Sequence, residues 1–235
     1  VTLPNSRLNI GIPMLAYYTA VDPPRQPDRG IMPDYHVEAG ITDVMQGRDA
    51  VMDFARSLPP FLETVPDTVN IVFHTTMGDV EAELYPKQAP VTCRNFMEYT
   101  DRLGRSGGSF YRTVTPGNQP HNKVRIEVIQ GGFNLAGIDT AALIPIPLER
   151  TRLTGLSHTN GALSMARSDP DSGSTEFFIC IGDQPSLDFG GKRNPDGQGF
   201  AAFGKVTRGM DVVRAIQQSP SEEQGLRPAV GIVGI

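Results

Sequence analysis

The chain has 235 residues, which is enough for one large domain or for one medium-sized domain with an appendage. Its hydrophobic fraction of 39% supports a proper core and argues against general disorder, whereas 25 glycines and 20 prolines favour short strands and turns. The formal net charge of −5 argues against nucleic acid or an anionic membrane as the main partner, although a local basic groove is compatible with it.

The two cysteines and the ends of the chain give few signals. Cys93 and Cys180 form no C-x-x-C motif and have no histidine cluster near them, so a structural zinc site is not expected. We interpret them as buried free thiols, and a single disulfide between them is the alternative. No apolar run reaches the length of a membrane span, and no signal peptide is visible. The compartment stays unknown: the cytoplasm is the default expectation, and a periplasmic or exported location applies if a leader has been lost.

A change of composition near residue 60 predicts two parts. Residues 1–58 are rich in proline, with a predicted strand at 7–14 and a predicted helix at 48–58. Pro59-Pro60 ends that helix, and residues 59–68 are interpreted as a linker. We therefore predict an N-terminal segment over 1–58 and a folded domain over 69–235.

From residue 69 the hydrophobic period changes to two, which is typical of strands. The segments VNIVFHT and DVEAELY flank a turn at residues 76–79 and predict a hairpin. A helix is predicted over 89–103, with Pro90 in its first turn and an apolar stripe that includes Cys93, Phe96 and Leu103. Five short strand candidates follow, namely SFYRTV, RIEVIQG, GALSMA, EFFICI and FAAFGKV. A helix over 209–217 and a last strand, PAVGIVGI, complete a pattern that indicates an antiparallel barrel.

Several motifs in this part resemble those of the cyclophilin-type peptidyl-prolyl cis-trans isomerases. They are TTMGDVEAELYPKQAPVTCRNFMEY, SFYR, VIQGG, GALSMAR, TEFFICI and FAAFGKVTRGMDVVRAI, and they occur in the family's order over nearly all of residues 69–235. The resemblance implies a mainly β fold. It is a closed eight-stranded antiparallel barrel capped by two helices, here with an N-terminal appendage.

The implied activity is rotation about X-Pro peptide bonds, a rotamase reaction linked to protein folding and chaperone roles. Amide resonance places a barrier of roughly 18–20 kcal/mol in the way of this rotation. A catalyst has to favour the twisted amide over both planar forms, which requires no covalent step, metal or cofactor. The implied partners are Pro-containing peptides and unfolded protein clients, with no nucleic acid and no membrane span, and the oligomeric state is unknown.

Two residues match the family's catalytic pair. Arg112 in SFYR matches the arginine whose fixed donors stabilise the twisted proline nitrogen. Gln130 in VIQGG matches the glutamine that helps to hold the peptide carbonyl, and Gly131-Gly132 after it permit close backbone approach. Without the resemblance, either side chain could be an ordinary polar residue of a strand.

The resemblance also implies a substrate groove. Val128, Phe178 and Leu187 map onto the proline pocket, although plain core is as good an interpretation of Val128. Ala166 would line the groove beside them. Glu176 stands where the family usually has glutamine, and we expect it either to pair with Arg112 or to meet a basic substrate residue or Arg167. The remaining alternative is a solvated carboxylate at the rim that has no effect.

Other positions depart from the family and keep a second function open. Ser186 stands where tryptophan is frequent, Phe200 where histidine is frequent, and Glu127 where a pocket phenylalanine is expected. The alternative to the enzyme is a low-activity module with a cyclophilin fold that binds Pro-containing peptides. Residues 4–58 resemble the C-terminal end of a tail-specific serine peptidase domain without its catalytic residues, so no proteolysis is assigned.

Overall fold

The computed structural model describes residues 65–103, 107–135 and 143–235, without the side chains of residues 102 and 103. The predicted strand at 7–14, the predicted helix at 48–58 and the peptidase-like segment lie outside these residues. Most of the predicted linker lies outside them too, so the boundary between the two parts stays a prediction. Within the described ranges no helix is long and apolar enough to cross a membrane.

The described residues form nine strands and three helices in an order close to the predicted one. The strands are β1 (Val69–Thr75), β2 (Gly78–Leu84), β3 (Gly108–Val114), β4 (Val128–Phe133), β5 (Ala162–Met165), β6 (Glu176–Cys180), β7 (Ala201–Arg208), β8 (Ser221–Glu222) and β9 (Gly225–Gly234). The helices are α1 (Pro90–Leu103), α2 (Thr151–Thr154) and α3 (Met210–Gln217). Only the single turn of α2 had no counterpart among the predicted helices.

The sheet closes on itself. Its strands follow the order β1-β2-β7-β5-β6-β4-β3-β9, and β9 pairs back onto β1. All of these pairings are antiparallel, and the two-residue β8 adds only to the edge of β9. The predicted closed barrel of eight antiparallel strands is therefore confirmed.

The first hairpin forms where the sequence predicts it. Thr75 pairs with Gly78 in the register of β1 and β2. The Thr75 hydroxyl donates to the Gly78 carbonyl at 2.6 Å and accepts from the Met77 amide at 3.1 Å. Gly78 has a φ of +127°, which L side chains rarely adopt, so the glycine is what permits this tight turn.

Strand alternation sorts the apolar side chains into two clusters. On β4 and β6, Ile129 and Phe177 face the barrel interior, where a group of phenylalanines fills the core. Their neighbours Val128 and Phe178 face outward and belong to a second group, here called the outer cluster. The outer cluster consists of Val114, Ile126, Val128, Ala162, Phe178, Cys180 and Leu187, with Ala166 and Phe200 packed against it.

Helix α1 covers the core with the predicted face. Cys93 and Phe96 are fully buried in the barrel interior, and the amides of Val91 and Thr92 donate to the Glu149 carboxylate at 3.1 and 2.7 Å. Those two amides are among the first-turn donors that a helix cannot satisfy itself. Cys180 belongs to the outer cluster, and both cysteines are free and buried, as interpreted from the sequence.

Candidate functional site

Four members of the outer cluster, Ile126, Val128, Phe178 and Leu187, form the floor of a cavity of about 410 Å³ on the outside of the barrel. All seven residues that the sequence analysis selected line it, namely Arg112, Val128, Gln130, Ala166, Glu176, Phe178 and Leu187. They come from three strands, from the residue directly after β5 and from a short 3-10 helix at Pro185–Leu187. A cavity of this size, with an apolar floor and a few polar groups, has the properties of a ligand site.

A β-bulge on β3 positions the polar side of the cavity. Phe110 pairs with Gly131 and Arg112 pairs with Gln130, so Tyr111 is an extra residue on β3. Simple alternation would send Tyr111 and Arg112 to opposite faces of the sheet. Because a bulge sets two residues against one, both side chains reach Gln130.

The Arg112 guanidinium is held by two neutral amide oxygens. Its Nη1 donates to Gln130 Oε1 at 2.7 Å, and its Nε and Nη2 donate to Gln224 Oε1 at 2.9 and 2.6 Å. Gln224 is itself fixed, because its Nε2 donates to the Asn118 carbonyl at 2.9 Å. The arginine is therefore oriented from two sides without a carboxylate that would cancel its charge.

Glu176 contacts Gln130 and Tyr111 rather than a cation. Gln130 Nε2 donates to Tyr111 Oη at 2.8 Å and to Glu176 Oε2 at 3.3 Å, and the Tyr111 hydroxyl donates to the same carboxylate. Burial, followed by the hydrogen bond to Glu176, raises the pKa of Tyr111 well above its usual value, so this hydroxyl remains a donor. These contacts turn the oxygen of Gln130 towards Arg112, and the expected ion pair of Glu176 with Arg112 or Arg167 does not form.

The glycine pair in VIQGG permits this arrangement. Gly132 lies opposite Glu176 in the register of β4 and β6. A Cβ on Gly132 would come within 2.7 Å of Glu176 Oε1, and a Cβ on Gly131 would come within 2.6 Å of the Ser109 carbonyl. The close approach expected from the sequence is therefore made by Glu176 on one face and by strand β3 on the other.

Arg167 belongs to the opposite wall of the cavity. Its Nη1 and Nη2 donate to the two oxygens of Asp196 at 2.8 and 3.0 Å, and its Nε donates to the Gly199 carbonyl at 2.8 Å. The guanidinium also lies 5.0 Å from the centroid of the Phe200 ring. The hydrogen bond from Arg167 is the main reason that the pKa of Asp196 is below its usual range.

A buried polar chain supports the floor of the cavity. The Phe178 ring stacks on His158 at 6.0 Å and meets the edge of Phe200 at 5.4 Å. His158 Nδ1 lies 2.7 Å from Asp188 Oδ1, and Nε2 lies 2.9 Å from Ser164 Oγ. This connectivity is that of a Ser-His-Asp triad, but Ser164 is fully buried and cannot reach a substrate. These hydrogen bonds fix the His158 ring and thereby the positions of the Phe178 and Phe200 rings in the floor.

Sequence reasoning missed three residues whose side chains shape the polar half of the site. Tyr111 is one, because only the bulge brings it to this face. Gln224 and Arg193 are the others, and both come from irregular parts of the chain with no hydrophobic pattern to indicate their role. Conversely, Glu127 does not line the cavity, and its carboxylate accepts a hydrogen bond from Gln217 Nε2 at 3.2 Å.

Comparison with known proteins agrees with the predicted fold and family. The model of the cyclophilin-type peptidyl-prolyl cis-trans isomerases matches residues 70–235. A peptidyl-prolyl cis-trans isomerase of Acinetobacter baylyi is 34% identical over 157 residues, which cover 66% of this chain and 76% of that protein. Peptidyl-prolyl cis-trans isomerase B of Escherichia coli is 31% identical over 161 residues, which cover 68% and 91%.

A solved structure shares the architecture. It is a cyclophilin-type isomerase of Cryptosporidium parvum, determined in the presence of the dipeptide Ala-Pro. The TM-score is 0.56 at 21% identity, with 71% of this chain and 96% of that chain covered. The barrel and its relatives thus define a prolyl isomerase. This chain belongs to the cyclophilin-type peptidyl-prolyl cis-trans isomerase family, so the predicted family and activity are confirmed.

Proposed function

We propose that the cavity lined by Arg112 and Phe178 is where this isomerase binds an X-Pro segment and twists its peptide bond. One observation carries the proposal. A guanidinium with no compensating carboxylate among the described residues is held rigidly above an apolar floor. A preorganised donor beside an apolar pocket is what a non-covalent rotation catalyst requires.

Arg112 supplies the donor for the twisted amide. When the X-Pro bond rotates out of plane, resonance is lost and the proline nitrogen becomes pyramidal with a localised lone pair. Three of the five N–H groups of Arg112 are used by Gln130 and Gln224, so one on each terminal nitrogen has no partner among the described residues. A hydrogen bond from one of these groups forms only with the pyramidal nitrogen and so lowers the barrier.

The floor of the cavity supplies the grip on proline. Val128, Phe178 and Leu187 are buried apolar side chains that leave a surface suited to a pyrrolidine ring. Ala166 is small and keeps the groove open beside them. Holding the ring while the preceding residue rotates converts binding energy into a lower barrier.

The partners we propose are Pro-containing peptides and unfolded protein clients. The apolar floor supports the first, and the Cryptosporidium parvum relative was itself studied in the presence of Ala-Pro. The fixed arginine supports turnover rather than mere capture, because a simple peptide binder has no need of a donor aimed at the amide nitrogen. Folding assistance follows if X-Pro bonds of client chains enter the same cavity.

The proposal is tested by adding a short Ala-Pro-containing peptide to isotope-labelled protein. Exchange spectroscopy gives the rate of cis-trans interconversion, and chemical shifts report which residues bind the peptide. We expect accelerated exchange together with shifts at Gln130 and Phe178, and none at Arg208 on the far part of β7. Binding at the cavity without acceleration would favour the peptide-binding module. Chemical-shift changes outside the cavity would contradict the proposed location of the site.

A further inference from the structure

The segment between Leu187 and Phe200 brings a second arginine to the cavity. The Arg193 amide donates to the Ser186 carbonyl at 3.1 Å, which ties the middle of this segment to its start. Arg193 and Asn194 both line the cavity. The pair of Arg167 with Asp196 ties the rest of the segment to the opposite wall.

The Arg193 side chain is held from one side only. Its Nη1 donates to Gln119 Oε1 at 3.0 Å and to the Val124 carbonyl at 2.6 Å. Gln119 is buried and fixed in place. Its Nε2 donates to the carbonyls of Thr115 and Ile126, and its Oε1 also accepts from the Ile126 amide. In the part of the chain that the structure describes, Nε and Nη2 of Arg193 have no hydrogen-bond partner.

The charges around the cavity are unbalanced. Arg167 is paired with Asp196. The Glu176 carboxylate also lines the cavity and accepts hydrogen bonds from the neutral side chains of Tyr111 and Gln130. Arg193 and Arg112 have no ion pair with any described carboxylate. Burial lowers the pKa of Arg193, and the positive charge of Arg112 lowers it further because the two cations repel each other.

We propose that Arg193 makes this isomerase selective for X-Pro segments that carry a carboxylate close to the proline. The inference rests on the proposed function and names the substrate class of the same site. Nε and Nη2 share one edge of the guanidinium, and that edge is the one that binds a carboxylate with two parallel hydrogen bonds. A carboxylate there also relieves the repulsion between Arg193 and Arg112. The site therefore selects an acidic ligand, although the net charge of the whole chain is −5.

The carboxylate can come from two sources, and peptides distinguish them. One set has amidated C-termini and carries Glu, Gln or Lys on either side of the proline. A second set is neutral along its length and differs only in a free or amidated C-terminus directly after the proline. A preference in the first set identifies an acidic side chain, and a preference confined to the second identifies a chain end.

The test compares kcat/KM by exchange spectroscopy for these peptides. For the parent protein we expect carboxylate-bearing peptides to exceed matched neutral ones about five-fold, mainly through KM, with a ratio near one in about 0.5 M salt. In Arg193→Gln the ratio falls to about one, whereas Arg193→Lys retains part of it. The matched control is Lys192→Gln, which removes the same charge from an exposed neighbour outside the cavity and leaves the ratio unchanged.

A ratio of one in the parent protein at low salt, in both peptide sets, overturns the proposal. If neutral peptides are still turned over, only the selectivity fails and the proposed function stands. If no peptide is turned over, both fail. Should Arg193→Gln not fold, the salt dependence of the parent and the behaviour of Arg193→Lys decide the matter.

Discussion

Gln224 was not indicated by the sequence, and its replacement tests how Arg112 is positioned. Gln224→Met removes the one oxygen that accepts from both Nε and Nη2 of Arg112. The methionine has a similar length and no comparable acceptor. Arg112 then keeps only its bond to Gln130, so its terminal nitrogens sample more orientations.

The magnitude can be worked from these contacts. Each hydrogen bond from a charged donor contributes about 1.5–3 kcal/mol where water cannot replace it. Because this half-buried guanidinium can recruit water, we take about 1–2 kcal/mol for the two bonds together, which lowers kcat/KM by roughly 5- to 30-fold. The fall should be mainly in kcat, because the apolar floor that binds proline is unchanged.

The assay is a double-mutant cycle on cis-trans exchange of a neutral Pro peptide. Gln224→Met should lower the rate in the parent protein and have no further effect in Arg112→Ala, because its role acts through the arginine. Glu222→Gln, a change at an exposed residue of the adjoining strand β8, serves as the control. Equal effects of Gln224→Met in the two backgrounds would refute the positioning role.

Three further predictions concern Glu176, Cys93 and the N-terminal segment. Glu176→Gln keeps an acceptor for Tyr111, so kcat/KM should change less than about three-fold, whereas Glu176→Leu should lower it about ten-fold; equal rates for both variants would contradict this. Burial raises the pKa of Cys93 to about 12, so its contribution to stability is present below about pH 9 and is lost as the pH rises towards 12. Chemical unfolding of the parent and Cys93→Ala over that range should show a pH-dependent difference, and parallel curves would count against it. A protein that begins at Val65 should fold and turn over peptides normally, since all the proposed site residues lie beyond residue 100; loss of activity with an intact barrel would make residues 1–58 part of the working unit.

The succession of strands and helices along the chain was predictable because alternation and turn signals are local. The hairpin and α1 follow from patterns a few residues long, whereas Phe178 was placed in the pocket by the family resemblance. The predicted strand RIEVIQG shows where such patterns fail, because β4 begins only at Val128. Ile126 is tied to the Gln119 side chain instead of a neighbouring strand, and an apolar residue in a loop has the same appearance in sequence as one in a strand.

The polar half of the site was less predictable for a physical reason. Tyr111 reaches the cavity through a bulge, and no alternation rule indicates a bulge in advance. An ion pair was one of the alternatives expected for Glu176 from its charge, but its carboxylate accepts from the hydroxyl of Tyr111 and the amide of Gln130 instead. Gln224 lies 112 residues from its partner Arg112, so only the folded chain brings the two together.

The most direct test of the account is the isomerisation rate of Arg112→Ala. Because the lost donor acts on the twisted nitrogen, we expect kcat/KM to fall about 100-fold or more while peptide affinity and thermal stability change little. Arg208→Ala, which removes an exposed arginine that pairs with Glu81 on the barrel surface, should retain the parent rate. A folded Arg112→Ala protein with the catalytic efficiency of the parent would contradict the proposal that this guanidinium stabilises the twisted amide.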